Sequence, residues 1–230
     1  MVMVIQDLRI AFDGLALDGT LALPQHPLGL VVFAHGSGSS RRSPRNWHVA
    51  HALHGRGIAT LLFDLLTAEE AEIDAHDATL RFDVQMLGER LLEATDSIVA
   101  TGESRGLPLG YFGGSTGAAA ALHAAARRPG RIAAIVARGG RPDLAGAALS
   151  TVTAPTLLIV GGHDTAVLAA NREAARLLPA ARLEVIPDAT HLFPEPGALD
   201  EVARLAGAWF AEHFLAARHH GAPSQVGAAS

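Results

Sequence analysis

Apolar and polar side chains alternate from Val2 to Phe12 and again from Leu15 to Leu23, with Asp13-Gly14 between the two segments. Alternation with a period of two predicts strands with one buried face, and an Asp-Gly pair favours a tight hairpin turn, so the segments are expected to pair antiparallel. From Leu28 the pattern changes. Short unbroken apolar runs follow at Leu28–Ala34, Ile58–Phe63, Leu107–Phe112, Ile132–Ala137, Thr156–Val160 and Leu183–Ile186, the pattern of strands buried on both faces. Between them Ser43–His54, Ala78–Thr101, Thr116–Arg127, Ala166–Leu178 and Ala198–Ala217 carry helical spacing or composition. In the second of these, Leu80, Val84, Leu87, Leu91, Leu92 and Ile98 mark an apolar face at spacings of three and four. Strands alternating with helices predict a mostly parallel sheet covered on both faces, an α/β doubly wound domain. No internal repeat or Pro/Ser-rich linker divides it.

Composition narrows the chemistry. With 230 residues, 49% of them hydrophobic, the chain can bury the core of one large domain. Lys and Cys are both absent, so all 18 basic residues are Arg. That excludes a Schiff-base or phosphate-loop lysine, disulfides, a thiolate nucleophile and Cys-ligated metal sites. The net charge of −5, with the arginines scattered rather than clustered, argues against nucleic acid as a partner. The N-terminus lacks the pattern of a secretory signal and no window reaches about 18 uninterrupted apolar residues, so a cytoplasmic protein without membrane contact is expected.

In an open parallel sheet, ligands bind beyond the C-terminal ends of the strands. Those positions hold His35-Gly36-Ser37-Gly38, Asp64, Gly113-Gly114-Ser115-Thr116-Gly117, Arg138-Gly139-Gly140, Gly161-Gly162-His163-Asp164 and Asp188-Ala189-Thr190-His191. Two G-x-S-x-G patterns occur, around Ser104 and Ser115. Only Ser115 follows a strand and precedes a helix, the context in which such a turn exposes a nucleophile. Ser115, Asp164 and His191 then follow in the order Ser, Asp, His, and a serine hydroxyl needs an imidazole base held by a carboxylate. Asp143 and Asp188 are the rival acids. Each catalytic candidate has a plainer reading as well, since Ser115 and Asp164 both stand where they could cap a helix.

Backbone donors for an oxyanion are expected from Thr116, the residue after the nucleophile, and from the glycine-rich loop after the third strand, with Ser37 chosen and Gly36 and Gly38 close behind. Arg41, Arg42 and Arg138 lie near the same strand ends and could grip a carboxylate on the substrate; Asp143 is the neighbour that Arg138 would otherwise pair with. His48, His51 and His54 recur every third residue on a helix, which spreads them around the cylinder, so no metal site is expected, and no cofactor.

With these residues, the chain resembles α/β-hydrolases of the dienelactone hydrolase-like group. The resemblance spans roughly residues 3 to 217 and rests on HGSGSSRRSPRN (35–46), TLLFDLLT (60–67), GGSTGAAAAL (113–122), ARGGRPDLA (137–145), APTLLIVGGHD (154–164) and ATHLFPEPG (189–197). Some hydrolases of this kind occur joined to phosphoribosyltransferase domains, and no such domain is expected here. The resemblance implies an eight-stranded sheet with the second strand antiparallel. Many relatives insert a lid after the sixth strand, but the connection from Ala137 to the seventh strand is too short for one, so a single domain over residues 1–217 without a cap domain is expected, and residues 218–230 are expected to be a disordered tail. It also implies a serine hydrolase acting on a small soluble ester, thioester or lactone. Dienelactone hydrolase itself uses a cysteine, so its substrate is not carried over. Acyl transfer or perhydrolysis on the same residues and a non-catalytic binding or scaffold role are the alternatives, and a monomer or homodimer is expected.

Overall fold

The structure, a computed structural model, describes residues 2–100 and 104–221. Strands β1 (Met3–Phe12) and β2 (Leu15–Pro24) form the expected antiparallel hairpin. Asp13 and Gly14 both take positive φ at its tip, at 44° and 78°, as a two-residue turn matched to strand twist requires. The remaining strands are β3 (Leu30–Ala34), β4 (Ala59–Phe63), β5 (Leu109–Gly114), β6 (Ala134–Arg138), β7 (Thr156–Gly161) and β8 (Ala181–Ile186). They complete one eight-stranded sheet in the order β1-β2-β4-β3-β5-β6-β7-β8. Only β2 runs antiparallel to its neighbours on both sides, and β3 to β8 are mutually parallel. Strands β3 to β7 are buried along their whole length, which is why their sequences read as unbroken apolar runs.

The helices are α1 (Pro44–His54), α2 (Ala68–Asp77), α3 (Val84–Ala100), α4 (Thr116–Arg127), α5 (Thr165–Leu177) and α6 (Ala198–Gly221). Beneath α1 and α6, Phe33, Phe112, Phe210 and Phe214 form one core layer. Tyr111, Leu91, Leu122 and the alanines of α4 form the other. The small alanine face lets α4 lie close to the sheet, and this closeness sets the height of its first residue above the strand ends.

α2, α3 and α6 differ from expectation, while the connection between β6 and β7 agrees with it. The helix expected over Ala78–Thr101 begins at Val84, because Ala78 turns left-handed at φ 57° to end a separate helix, α2, and a 3-10 turn (Leu80–Phe82) follows. α2 buries only Asp74 and so carries no apolar stripe. It is held by a Thr67/Glu70 capping box and by Arg90, which donates to both Glu70 carboxylate oxygens at 2.6 Å and to Leu65 O at 2.9 Å. Between β6 and β7 run only 3-10 turns over Pro142–Thr151, broken at Gly146, and no cap domain is built there. Finally, α6 continues to Gly221, so residues 218–221 of the expected tail are helical; residues 222–230 lie outside the described residues. Among the described residues, no helix is long and apolar enough to cross a membrane.

Candidate active site

Ser115 sits between β5 and α4 at φ 51° and ψ −120°, a region that side-chain-bearing residues rarely adopt. The surrounding backbone holds it there. Ser115 N–H donates to Arg138 O at 3.1 Å, and Ser115 O accepts from Arg141 N–H at 3.0 Å and Ala118 N–H at 3.1 Å. Two residues on, a Cβ at Gly117 would stand 2.2 Å from Ala34 O, so only glycine lets α4 start this close to β3. Although Ser115 occupies the N-cap position of α4, its side chain makes no capping bond.

Asp164 repeats that arrangement. It occupies the N-cap position of α5, yet its carboxylate caps nothing and meets His191 instead, with Nδ1 and Oδ2 2.6 Å apart. A carboxylate on Nδ1 keeps the proton there and leaves Nε2 as the lone-pair nitrogen. The Asp164 side chain is 15% exposed and that of His191 38%. The imidazole lies against Gly139, where a Cβ would be 3.5 Å from Nδ1. Gly139 follows the residue whose carbonyl takes the Ser115 amide, so His191 and Ser115 flank the same end of β6. The rival acids are placed otherwise: Asp143 is held by Arg141, with bonds of 2.9 and 2.7 Å, and Asp188 is exposed in the turn after β8.

The loop after β3 lies directly on the serine turn. A Cβ at Gly36 would be 2.9 Å from Gly114 O and 3.1 Å from Ser115 Cβ. Thr116 N–H is the first amide of α4 and therefore has no intrahelical partner. Ser37 N–H donates to Thr116 Oγ1 at 2.8 Å, so the amide expected to face an oxyanion is engaged by a neighbouring hydroxyl. The sequence offered no role for His35, which holds this loop in place. Its Nε2 accepts from Leu65 N–H at 3.0 Å, so the proton sits on Nδ1, 3.0 Å from Gly36 O. Burial lowers its pKa and keeps it neutral.

A cavity of about 230 Å³ opens beside Thr116, lined by Gly36, Ser37, Leu65, Leu87, Ala75 and Arg81 among others. Its outer wall is α2 with the 3-10 turn behind it, where Arg81 is tied to the buried Asp74 at 2.7 Å. The signal for this wall was the Thr67-x-x-Glu70 capping pattern.

The three candidate arginines part ways. Arg41 is taken by an ion pair with Asp64 and a 3.6 Å contact with Asp18. Arg42 is exposed. Arg138 is buried and does not pair with Asp143, which Arg141 holds because its guanidinium lies two residues away on the same turn. Ser104 Oγ donates to Ile98 O at 2.6 Å before β5 begins; Gly102 and Glu103 of its motif lie outside the described residues. His48 meets Asp200 at 2.8 Å, His54 meets Thr60 at 2.8 Å, and His51 packs at a tilt against Trp47. No group of three metal-ligating side chains occurs among the described residues.

The fold and this strand-end geometry define the class. The chain belongs to the alpha/beta hydrolase domain family, which matches residues 27–204. A dienelactone hydrolase from Anabaena variabilis, known from a crystal structure, is 51% identical, with a TM-score of 0.90 over 92% of this chain and 98% of that one. Est1E from Butyrivibrio proteoclasticus shares the fold at 19% identity and a TM-score of 0.72, covering 91% of this chain and 99% of that one. A protein of Mycobacterium tuberculosis strain H37Rv that carries the provisional name phosphoribosyl transferase is 50% identical over 209 residues, which are 90% of this chain and 46% of that protein. This chain thus spans about half the length of the curated relatives it matches.

Proposed function

We propose that this hydrolase cleaves a small carboxylic ester, thioester or lactone through an acyl-enzyme on Ser115. One observation carries the reading. Ser115 and Asp164 both stand at helix N-caps and neither caps its helix: one is held in a strained turn and the other is spent on His191 at 2.6 Å. Strain and a forgone cap are costs that a merely structural serine and aspartate would not carry.

In the proposed sequence Ser115 Oγ attacks the acyl carbon while His191 Nε2 takes its proton, and Asp164 stabilises the resulting imidazolium. The tetrahedral oxyanion is met by Thr116 N–H and competes with Thr116 Oγ1 for Ser37 N–H. Collapse expels the alkoxide or thiolate, which takes the proton back from His191. Water, deprotonated by the same imidazole, then attacks the acyl carbon, releasing the carboxylic acid and restoring Ser115. The cavity of about 230 Å³ beside Thr116 supports a short acyl or alcohol group. The transferase name belongs to a relative of which this chain matches 46%, and the hydrolase reading concerns that portion. An ester panel from acetyl to dodecanoyl, run with a Ser115→Ala control, tests it. Turnover should fall with chain length and drop by about 10³-fold in the control. Near-normal turnover in Ser115→Ala refutes it.

A further inference from the structure

Arg138 ends β6 opposite Gly114 in the sheet register, one residue from Ser115, and is only 7% exposed. Its Nη2 would stand 2.6 Å from a Cβ on Gly114, so the missing side chain at 114 makes room for the guanidinium. Nε and Nη1 are enclosed and bond nothing. Among the described residues no carboxylate pairs with it. The charge that bears on it is instead another cation, Arg45, and burial together with that repulsion pushes its pKa down to about 10.

Arg45 lies in the first turn of α1, and its own Nε is also enclosed and unpaired. The adjacent Asn46 is 2% exposed and leaves Oδ1 without a partner. α1 follows the loop that leaves the C-terminal end of β3, so its N-terminal end, with the positive end of its dipole, lies on the same side of the sheet as Ser115. That turn contains no acidic residue. Two guanidinium groups close enough to repel one another and a helix N-terminus thus stand together with no carboxylate paired to either arginine among the described residues, an arrangement a fold keeps at high cost unless an anion completes it.

We infer that Arg138, with Arg45 and the first turn of α1, forms a subsite for an anionic oxygen group, a carboxylate or a phosphate, borne by the molecule that Ser115 attacks. The role in substrate selection rests on the serine hydrolase reading; the binding of the anion does not. Such a site makes the enzyme select esters carrying a second, ionised group over neutral esters of equal size, because a guanidinium donates charge-assisted bonds that a neutral group cannot match.

The test uses inorganic phosphate and acetate as separate probes, each titrated into the wild-type protein by calorimetry, with Arg138→Met, Arg45→Gln and Arg176→Gln alongside. Arg176 is 74% exposed on α5 and serves as the surface control. At least one anion should bind the wild type; phosphate or acetate as the tighter ligand distinguishes the two sources. Arg138→Met should weaken binding about tenfold or more, equivalent to roughly 1.4 kcal/mol. Arg45→Gln should weaken it several-fold, and Arg176→Gln should not change it. Should Arg138→Met fail to fold, the half-buried Arg45 still decides the matter. No binding of either anion up to about 50 mM, or equal weakening by Arg45→Gln and Arg176→Gln, overturns the subsite. Fluorophosphonate labelling of Ser115 in the same samples reads the hydrolase separately: labelling without anion binding removes only the subsite, and anion binding without labelling removes only the hydrolase.

Discussion

Replacing Asp164 by Asn keeps the shape of the side chain and removes its charge. In the folded protein the carboxylate and the imidazole Nδ1 are 2.6 Å apart, which puts the centres of negative charge and of a developing imidazolium about 4 Å apart. At an effective dielectric of about 20, suited to a site this close to the surface, that attraction is worth about 4 kcal/mol, or about 10³-fold in rate. The amide adds a second fault, because its N–H group can face Nδ1 and select the tautomer whose Nε2 already carries a proton. Together the two effects predict a loss of about 10⁴-fold in kcat. The assay is kcat and KM on an acetate ester, with thermal unfolding recorded on the same samples to show that the fold is intact. Asp143→Asn is the matched control, because its pair with Arg141 is half exposed and should matter by less than about 1 kcal/mol. A loss below about tenfold in Asp164→Asn, or equal losses in both variants, refutes the reasoning.

Gly117→Ala should lower stability by about 2 kcal/mol and Tm by roughly 4–8 °C, since the new methyl group would meet Ala34 O at 2.2 Å; an unchanged Tm in calorimetry contradicts the close approach of α4 to β3. Burial, and then the charge of His51, lower the pKa of His54 to about 4 from an ordinary 6.5. Between those values the unfolded chain binds a proton that the folded chain does not, so stability should fall as pH drops from about 6.5 to 4. Urea midpoints across that range should decline less in His54→Gln than in the wild type, and parallel curves would argue against the buried neutral imidazole.

Much of the architecture was legible because the sheet is buried on both faces. Runs such as Thr156–Val160 have to be apolar throughout, and the chemistry of an open parallel sheet is confined to the strand ends that follow them. Ser115, Asp164 and His191 were singled out as candidates on that ground. Context also disposed of Ser104, which precedes its strand and donates to Ile98 O. What stayed hidden depends on polar contacts between segments far apart in sequence. α2 buries only Asp74 and hangs on Arg90, 20 residues beyond its Glu70 partner, so hydrophobic periodicity could not reveal it. The bond from Ser37 N–H to Thr116 Oγ1 spans 79 residues. Nothing in the sequence pairs Arg41 with Asp64, because the ion pair forms between two loops brought together only by the sheet.

Whether Ser115 is the nucleophile is tested most directly by a fluorophosphonate probe followed by peptide mass spectrometry. The probe should attach to the peptide containing Ser115, at a rate that falls by about 10³-fold or more in His191→Ala because the hydroxyl then lacks its base. No adduct on active, folded protein, or an adduct on Ser104 or Ser37 with Ser115 untouched, would contradict it.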